Sequence, residues 1–173
     1  MTPRSLPAAL LLTLALALPA AADMFVTPPR GLEPADRVVL RKAERELVLY
    51  RDGRPLKSYR VSLGLSPQGH KEREGDFRTP EGRYLLTRRN PYSEYFLSIQ
   101  VSYPGPDDLA QARRNGWAPG GAIMIHGLPN IPRHPRERYL SSDWTDGCIA
   151  VSNEDMLEIW LLTRPNTPIE ITP

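Results

Sequence analysis

Between Arg37 and Pro173 the apolar residues fall in short runs, each closed by glycine, proline or an Asp-Gly pair, a pattern that suits strands better than helices of ordinary length. The runs are Val38 to Arg41, Glu46 to Tyr50, Lys57 to Leu63, Arg83 to Thr87, Tyr95 to Tyr103, Ala122 to His126, Cys148 to Val151 and Thr167 to Ile171. Asp52-Gly53, set between two alternating runs, predicts a tight hairpin. Two stretches read as helices. Pro106 to Asn115 carries Asp107 and Asp108 in its first turn, Arg113 and Arg114 in its last, and Gly116 as a stop. Ser152 reads as the N-cap of the second, Asn153 to about Thr163, with Asp155 as its capping-box partner. The expectation is one mainly β domain, a sandwich or an open barrel, with two short peripheral helices. Gly64 to Thr79 and residues 127–147 remain as long loops; Pro129, Pro132 and Pro135 break the second, and such an excursion inside a compact domain usually serves function.

The chain opens with Arg4, an apolar run from Leu6 to Leu18, and Ala20-Ala21-Ala22 ahead of Asp23, which reads as a signal peptide over residues 1–22. The run is shorter than the roughly 20 residues of a membrane span, and no later segment approaches that length, so no integral membrane segment is expected after cleavage. Residues 23–36 follow as a proline-rich lead-in with Pro28, Pro29 and Pro34, and residues 37–173 form the domain proper. With Arg4 lost alongside the signal, basic and acidic residues nearly cancel, and no basic block rises above the mixed background. No nucleic-acid partner is expected.

The single cysteine, Cys148, cannot form an internal disulfide, which leaves a free thiol in an exported protein. Such a thiol is either buried and inert or kept for its reactivity. His126 ends an apolar run and is followed by Gly127, while Cys148 follows Thr145-Asp146-Gly147. An imidazole that accepts the thiol proton makes a thiolate nucleophile near neutral pH. Gly147 allows a tight turn in which the amides of Gly147 and Cys148 face a developing oxyanion. A buried cysteine beside an unrelated surface histidine is the competing reading. His134, with His126, Asp146 and Cys148, invites a zinc site, but His-x7-His is not a compact ligand spacing, so neither metal nor cofactor is expected. His70 reads as an exposed loop residue, Trp160 as packing on its helix, and Trp144 as a wall of the substrate groove or part of the core.

Ile125-His126-Gly127 and Thr145-Asp146-Gly147-Cys148-Ile149 resemble the signature of the L,D-transpeptidase (YkuD-type) catalytic domain. Gly75-Asp76 with Arg78-Thr79-Pro80-Glu81-Gly82 is similar to that family's Thr-Pro-x-Gly strand entry, and Glu46 to Gly64 to its opening hairpin. The resemblance implies the family's β-sandwich without a metal, with Cys148 as nucleophile, His126 as general base, the Gly127 carbonyl orienting the imidazole, and the Gly147 and Cys148 amides as oxyanion donors. It also implies a substrate, the tetrapeptide stem of peptidoglycan, attacked at the L-centre of its third residue. Terminal D-alanine leaves, a thioester remains, and the amine of another stem resolves it into a 3-3 cross-link.

Two positions depart from the family pattern. Asp146 stands where many members carry histidine, and Ala150 where they carry arginine or asparagine. Arg133, Arg136 and Arg138 are candidates to supply the missing charge, since guanidinium binds carboxylate bidentately; a solvated charged loop is the competing reading. Trp144, Thr145 and Asp146 complete the expected substrate contacts. The step of 22 residues from His126 to Cys148 exceeds the usual spacing and implies a lengthened loop. The expected function is periplasmic L,D-transpeptidation on peptidoglycan stems. L,D-carboxypeptidase action or amidase release of a wall-attached protein partner is the near alternative, and a non-catalytic wall-binding module the alternative of another class. Papain-like wall peptidases place cysteine before histidine, the reverse of the order here.

Overall fold

The computed structural model describes residues 33–173; the signal-peptide reading and residues 23–32 of the lead-in lie outside the described residues. Eight strands and three helices follow in the order β1 (Arg37–Arg41), β2 (Glu46–Arg51), β3 (Arg54–Arg60), β4 (Gly82–Ser93), β5 (Phe96–Val101), α1 (Pro106–Asn115), β6 (Met124–His126), α2 (Arg136–Ser141), β7 (Ile149–Ala150), α3 (Asn153–Leu162) and β8 (Pro168–Thr172). The β2–β3 hairpin turns where Asp-Gly stands, with φ of 49° at Asp52 and 75° at Gly53, the left-handed pair that a two-residue hairpin turn demands. The sheet order is β3-β2-β1-β8-β4-β5-β6-β7, with β1–β8 and β6–β7 parallel and the other pairs antiparallel.

The long strand β4 joins the two halves. Its first part, Gly82 to Leu85, pairs with β8, and its continuation from Leu86 to Ser93 pairs with β5 across two register shifts. Asn90-Pro91 falls in the second shift, where a residue without an N–H costs no ladder bond. Leu40, Leu49 and Ile169 from one half and Ile99, Ile125 and Ile149 from the other belong to one buried cluster. This is the mainly β, two-sided architecture expected of a sandwich. The end of the lead-in belongs to it as well: Ala35 is buried, and its amide donates to Leu162 O at 2.7 Å.

The helices differ from expectation in number and depth. A third, α2, lies within the stretch read as loop, because Arg136 to Ser141 makes fewer than two turns after Pro135 and carries no apolar periodicity to reveal it. The helix α3 is not peripheral: Met156 and Ile159 are fully buried and pack in the common core. Its start is capped as read, with Ser152 Oγ accepting from the Asp155 amide at 3.0 Å. Ile159→Ala should therefore cost about 2–5 kcal/mol in chemical denaturation, whereas Leu157→Ala, at a side chain 46 % exposed on the same helix, should change stability by only about 0.5 kcal/mol.

Candidate active site

Parallel pairing of β6 with β7 sets Ile125 opposite Ile149 and His126 opposite Ala150. Side chains alternate across a strand, and Ile125 and Ile149 are both fully buried in the core, so His126 and Cys148 project together from the other face. They line one cleft of about 450 Å³ with Tyr95, Ala122, Met124 and Trp144 among its walls. His126 Nδ1 lies 2.7 Å from Gly127 O. A carbonyl only accepts, so Nδ1 carries the hydrogen and Nε2 keeps its lone pair. Burial drives the imidazole pKa down to about 4, against a smaller upward pull from its bond to Gly127. At neutral pH the ring is an uncharged base.

Tyr95 and Trp144 frame the imidazole, with ring centres 4.6 and 5.7 Å from that of His126. Trp144 is itself fixed by Tyr139, edge-on at 5.0 Å and accepting the indole N–H through its carbonyl at 3.0 Å. Gly127 has no room for a side chain: a Cβ there would stand 2.6 Å from Asn153 Oδ1, the same oxygen that accepts from the Leu128 amide. The start of α3 thus holds the chain that orients the histidine.

Cys148 is a half-buried free thiol just before β7. Its Sγ is 3.6 Å from Ala122 O, and among the described residues it makes no hydrogen bond to the imidazole. Burial raises the thiol pKa; the Met124 amide opposes this, Asp146 adds to it, and Lys71 works against it. In this resting state the pair is neutral thiol and neutral imidazole.

The turn before Cys148 is knotted by Thr145. Its Oγ1 donates to Cys148 O at 2.7 Å and accepts from the Gly147 amide at 3.1 Å. The Gly147 N–H, expected at an oxyanion, is in this structure given to Thr145, and Thr145 itself is buried as a brace of the turn. Gly147 adopts φ +130°, and a Cβ there would stand 2.5 Å from Arg78 O. The loop that carries Arg78 is held in turn by Asp76, whose carboxylate takes Lys71 Nζ at 2.7 Å and the amides of Glu72, Arg73 and Arg78. Burial works against that charge, but the ammonium and the three amides outweigh it and hold the carboxyl at about 2.

Of the remaining expected contacts, Asp146 lines the cleft and is exposed. Arg136 forms a two-pronged ion pair with Glu154 at 3.0 and 2.5 Å and so ties α2 to the start of α3. Arg133 and Arg138 instead line a neighbouring cavity of about 650 Å³ that shares Glu94, Tyr95 and Trp144 with the cleft. His134 lines the same cavity beside Tyr139, and no three His, Cys, Asp or Glu side chains gather as metal ligands among the described residues. His70 is not a loose loop residue: Nδ1 accepts from the Glu81 amide at 3.0 Å, and Nε2 sits 3.0 Å from Asp108, which ties α1 to the entry of β4. Trp160 packs against the core with Arg89 over its ring. Tyr95 is the residue that sequence reasoning missed; its contact with His126 arises from β5 pairing with β6, which no local pattern announces.

Residues 35–171 match the family described as YkuD, L,D-transpeptidase catalytic domain. The chain is 29 % identical over 145 residues to the protein named "Putative L,D-transpeptidase YafK" of Escherichia coli strain K12, covering 76 % of this chain and 51 % of that one. It thus spans about half the length of the curated relatives it matches. Among solved structures, the helical cell shape determining protein Pgp2 from Campylobacter jejuni superimposes with a TM-score of 0.60 at 27 % identity, over 78 % of this chain and 46 % of that one. An L,D-transpeptidase from Mycobacterium smegmatis shares the fold alone, with a TM-score of 0.52 at 13 % identity over 79 % and 58 % of the two chains. With the match running from the buried Ala35 to the last strand and taking in His126, Gly127 and the Cys148 turn, the chain belongs to the L,D-transpeptidase catalytic-domain (YkuD) family.

Proposed function

We propose that this protein is a peptidoglycan L,D-transpeptidase that works through a Cys148 thioester. The observation that carries the reading is the His126 Nδ1 to Gly127 O bond, which leaves Nε2 as a free base in the cleft that also holds the only thiol. The family acts on peptidoglycan, which supplies the substrate class. The apolar run from Leu6 to Leu18 before Ala20-Ala21-Ala22 supports export to the periplasm, where that substrate lies.

In the proposed reaction Sγ turns from Ala122 O toward Nε2, hands over its proton, and attacks the carbonyl that precedes the terminal D-alanine of a tetrapeptide stem. The C–S bond forms as the carbonyl π bond opens. The Cys148 amide is the donor we assign to the resulting oxyanion, since the Gly147 amide is already given to Thr145. Collapse breaks the C–N bond, and the proton on Nε2 goes to the departing amine. An incoming amine then attacks the thioester and gives its proton to Nε2. The C–S bond breaks, and the sulfur takes the proton back from the imidazolium. Gly127 O balances the charge that appears on the ring during both halves. A ring buried between Tyr95 and Trp144 bears that charge only briefly, which fits a base that is neutral at rest.

Mass spectrometry of tetrapeptide muropeptides incubated with the wild type should show dimers lacking one D-alanine, with Cys148→Ala giving none. Tripeptide monomers alone would convert the assignment to a hydrolase, and equal product from both proteins would remove Cys148 from the mechanism.

The acidic limb of the rate follows from the buried imidazole. Because its pKa is lowered to about 4, the base stays deprotonated down to that pH, and kcat/KM should hold as pH falls through 6 and be lost only near 4. Loss of activity centred near 6.5, the ordinary value for histidine, would contradict it.

A further inference from the structure

The β4–β5 hairpin outruns its sheet. Strand β5 pairs with β6 only as far as Ser98 opposite His126, where the chain turns away at Gly127, so the hairpin end from Ser93 to Leu97 has no further strand on that side. Its polar backbone is nevertheless bonded. The Gly127 amide donates to Tyr95 O at 3.1 Å and to Leu97 O at 3.3 Å. Asn130 binds the rest of the turn: its amide donates to Glu94 O at 2.9 Å, its Oδ1 accepts from the Phe96 amide at 2.9 Å, and its Nδ2 donates to Ser93 O at 2.8 Å. These partners fix which end of the side-chain amide is which, because an N–H only donates and a carbonyl only accepts. One residue thus stands in for a strand, 34 to 37 positions away in the chain from the groups its side chain holds.

That turn carries Tyr95, whose ring centre lies 4.6 Å from that of His126. The Tyr95 amide is bonded to Ser93 Oγ at 3.1 Å and its carbonyl to Gly127, so the backbone sets the direction of the ring from both ends. Phe96, the next residue, adopts φ +64°, a left-handed conformation that a bulky side chain holds only when its surroundings enforce it. Its amide is the one that Asn130 Oδ1 accepts. Of the titratable and charged groups that face the imidazole, Tyr95 comes from this turn and Cys148 and Asp146 from the segment before β7, with Glu94 beside them in the cleft. Among the described residues the ring is hydrogen-bonded to Gly127 O alone. Burial rather than a neighbouring charge therefore sets its proton affinity.

We propose that Asn130 is a positioning residue: by closing the hairpin end it holds the Tyr95 ring against His126, and through that ring it keeps the imidazole out of water. What this means for turnover rests on the transpeptidase reading; the placement of the ring does not. Asn130 is itself exposed, so shortening its side chain leaves no hole in the core and the variant should fold.

The test follows the His126 ring by proton NMR titration in the wild type, Asn130→Ala, Tyr95→Ala and the double variant. Asn130→Ala should raise the proton affinity of the ring at least about tenfold, carrying its pKa from about 4 toward the ordinary value of roughly 6.5. Tyr95→Ala should raise it at least as much, and the double variant no further than Tyr95→Ala alone, since the two residues act in series. Ile131→Ala, at the next residue and 86 % exposed, should leave the titration where it is. An unmoved ring in Asn130→Ala would reduce Asn130 to a brace of the fold and overturn the proposal. An unmoved ring in Tyr95→Ala, effects that add in the double variant, or an equal rise in Ile131→Ala would overturn it too. The acidic limb of kcat/KM for D-alanine release should move to higher pH with the ring in Asn130→Ala. A ring that moves while D-alanine release is absent, or keeps its acidic limb, would count against the transpeptidase reading and uphold the role of Asn130.

Discussion

The site depends on a short parallel pairing, that of β6 with β7. Two strands of three and two residues are held in register by Ile125 and Ile149, each fully buried in the common core. Slipping one strand by a single residue would turn His126 or Cys148 into the core and bring an isoleucine to the cleft, so burial of the two isoleucines is also what fixes the chemistry. Hydrophobic packing thus does the positioning, and hydrogen bonds refine it. The Val151 amide reaching His126 O at 3.0 Å and the Ser62 amide reaching Ala150 O at 2.8 Å extend the same ladder to either side.

Around this pairing, two loops are tied so that the active turn has little freedom. Thr145 closes the turn on itself, Gly147 fits only because it lacks a Cβ, and the Asp76 knot holds Arg78 against it. Lys42, buried at the end of β1, binds Gly69 O, Thr79 O and Glu81 and fastens the other end of the same loop to the sheet. Both charged groups at the base of this loop are fully partnered, which is the condition under which a buried charge is tolerated. The result is a preorganised backbone around a thiol and an imidazole that are both uncharged at rest.

Much of this is legible in the chain. The places of the strands, the Asp52-Gly53 hairpin, the helix from Pro106 to Asn115 and the Ser152 cap rest on local chemistry, although pairing in the sheet carries β4 on to Ser93, past the Thr87 where its apolar run ends. His126, Gly127 and Cys148 converge because their motif sits at strand ends, where alternation against buried isoleucines can be read directly. What escaped depends on contacts that no sequence pattern announces, most of them between distant segments. Tyr95 meets His126 through β5–β6 pairing, Arg136 is separated from Arg133 and Arg138 by its ion pair with Glu154, and the Gly147 amide is claimed by a hydroxyl two residues earlier. The helix α2 carries too few residues to declare itself by periodicity.

The claim at the centre of this account is that His126 rests as a neutral ring with its proton on Nδ1. Nitrogen-15 chemical shifts of the His126 imidazole, recorded from pH 5 to pH 8, read that state directly. The account requires a protonated Nδ1 and a bare Nε2 throughout this range, as expected for a ring bound to Gly127 O with its pKa held at about 4. A proton on Nε2, or an imidazolium already present at pH 6, would contradict it and leave the Cys148 thiol without the base on which the proposed reaction depends.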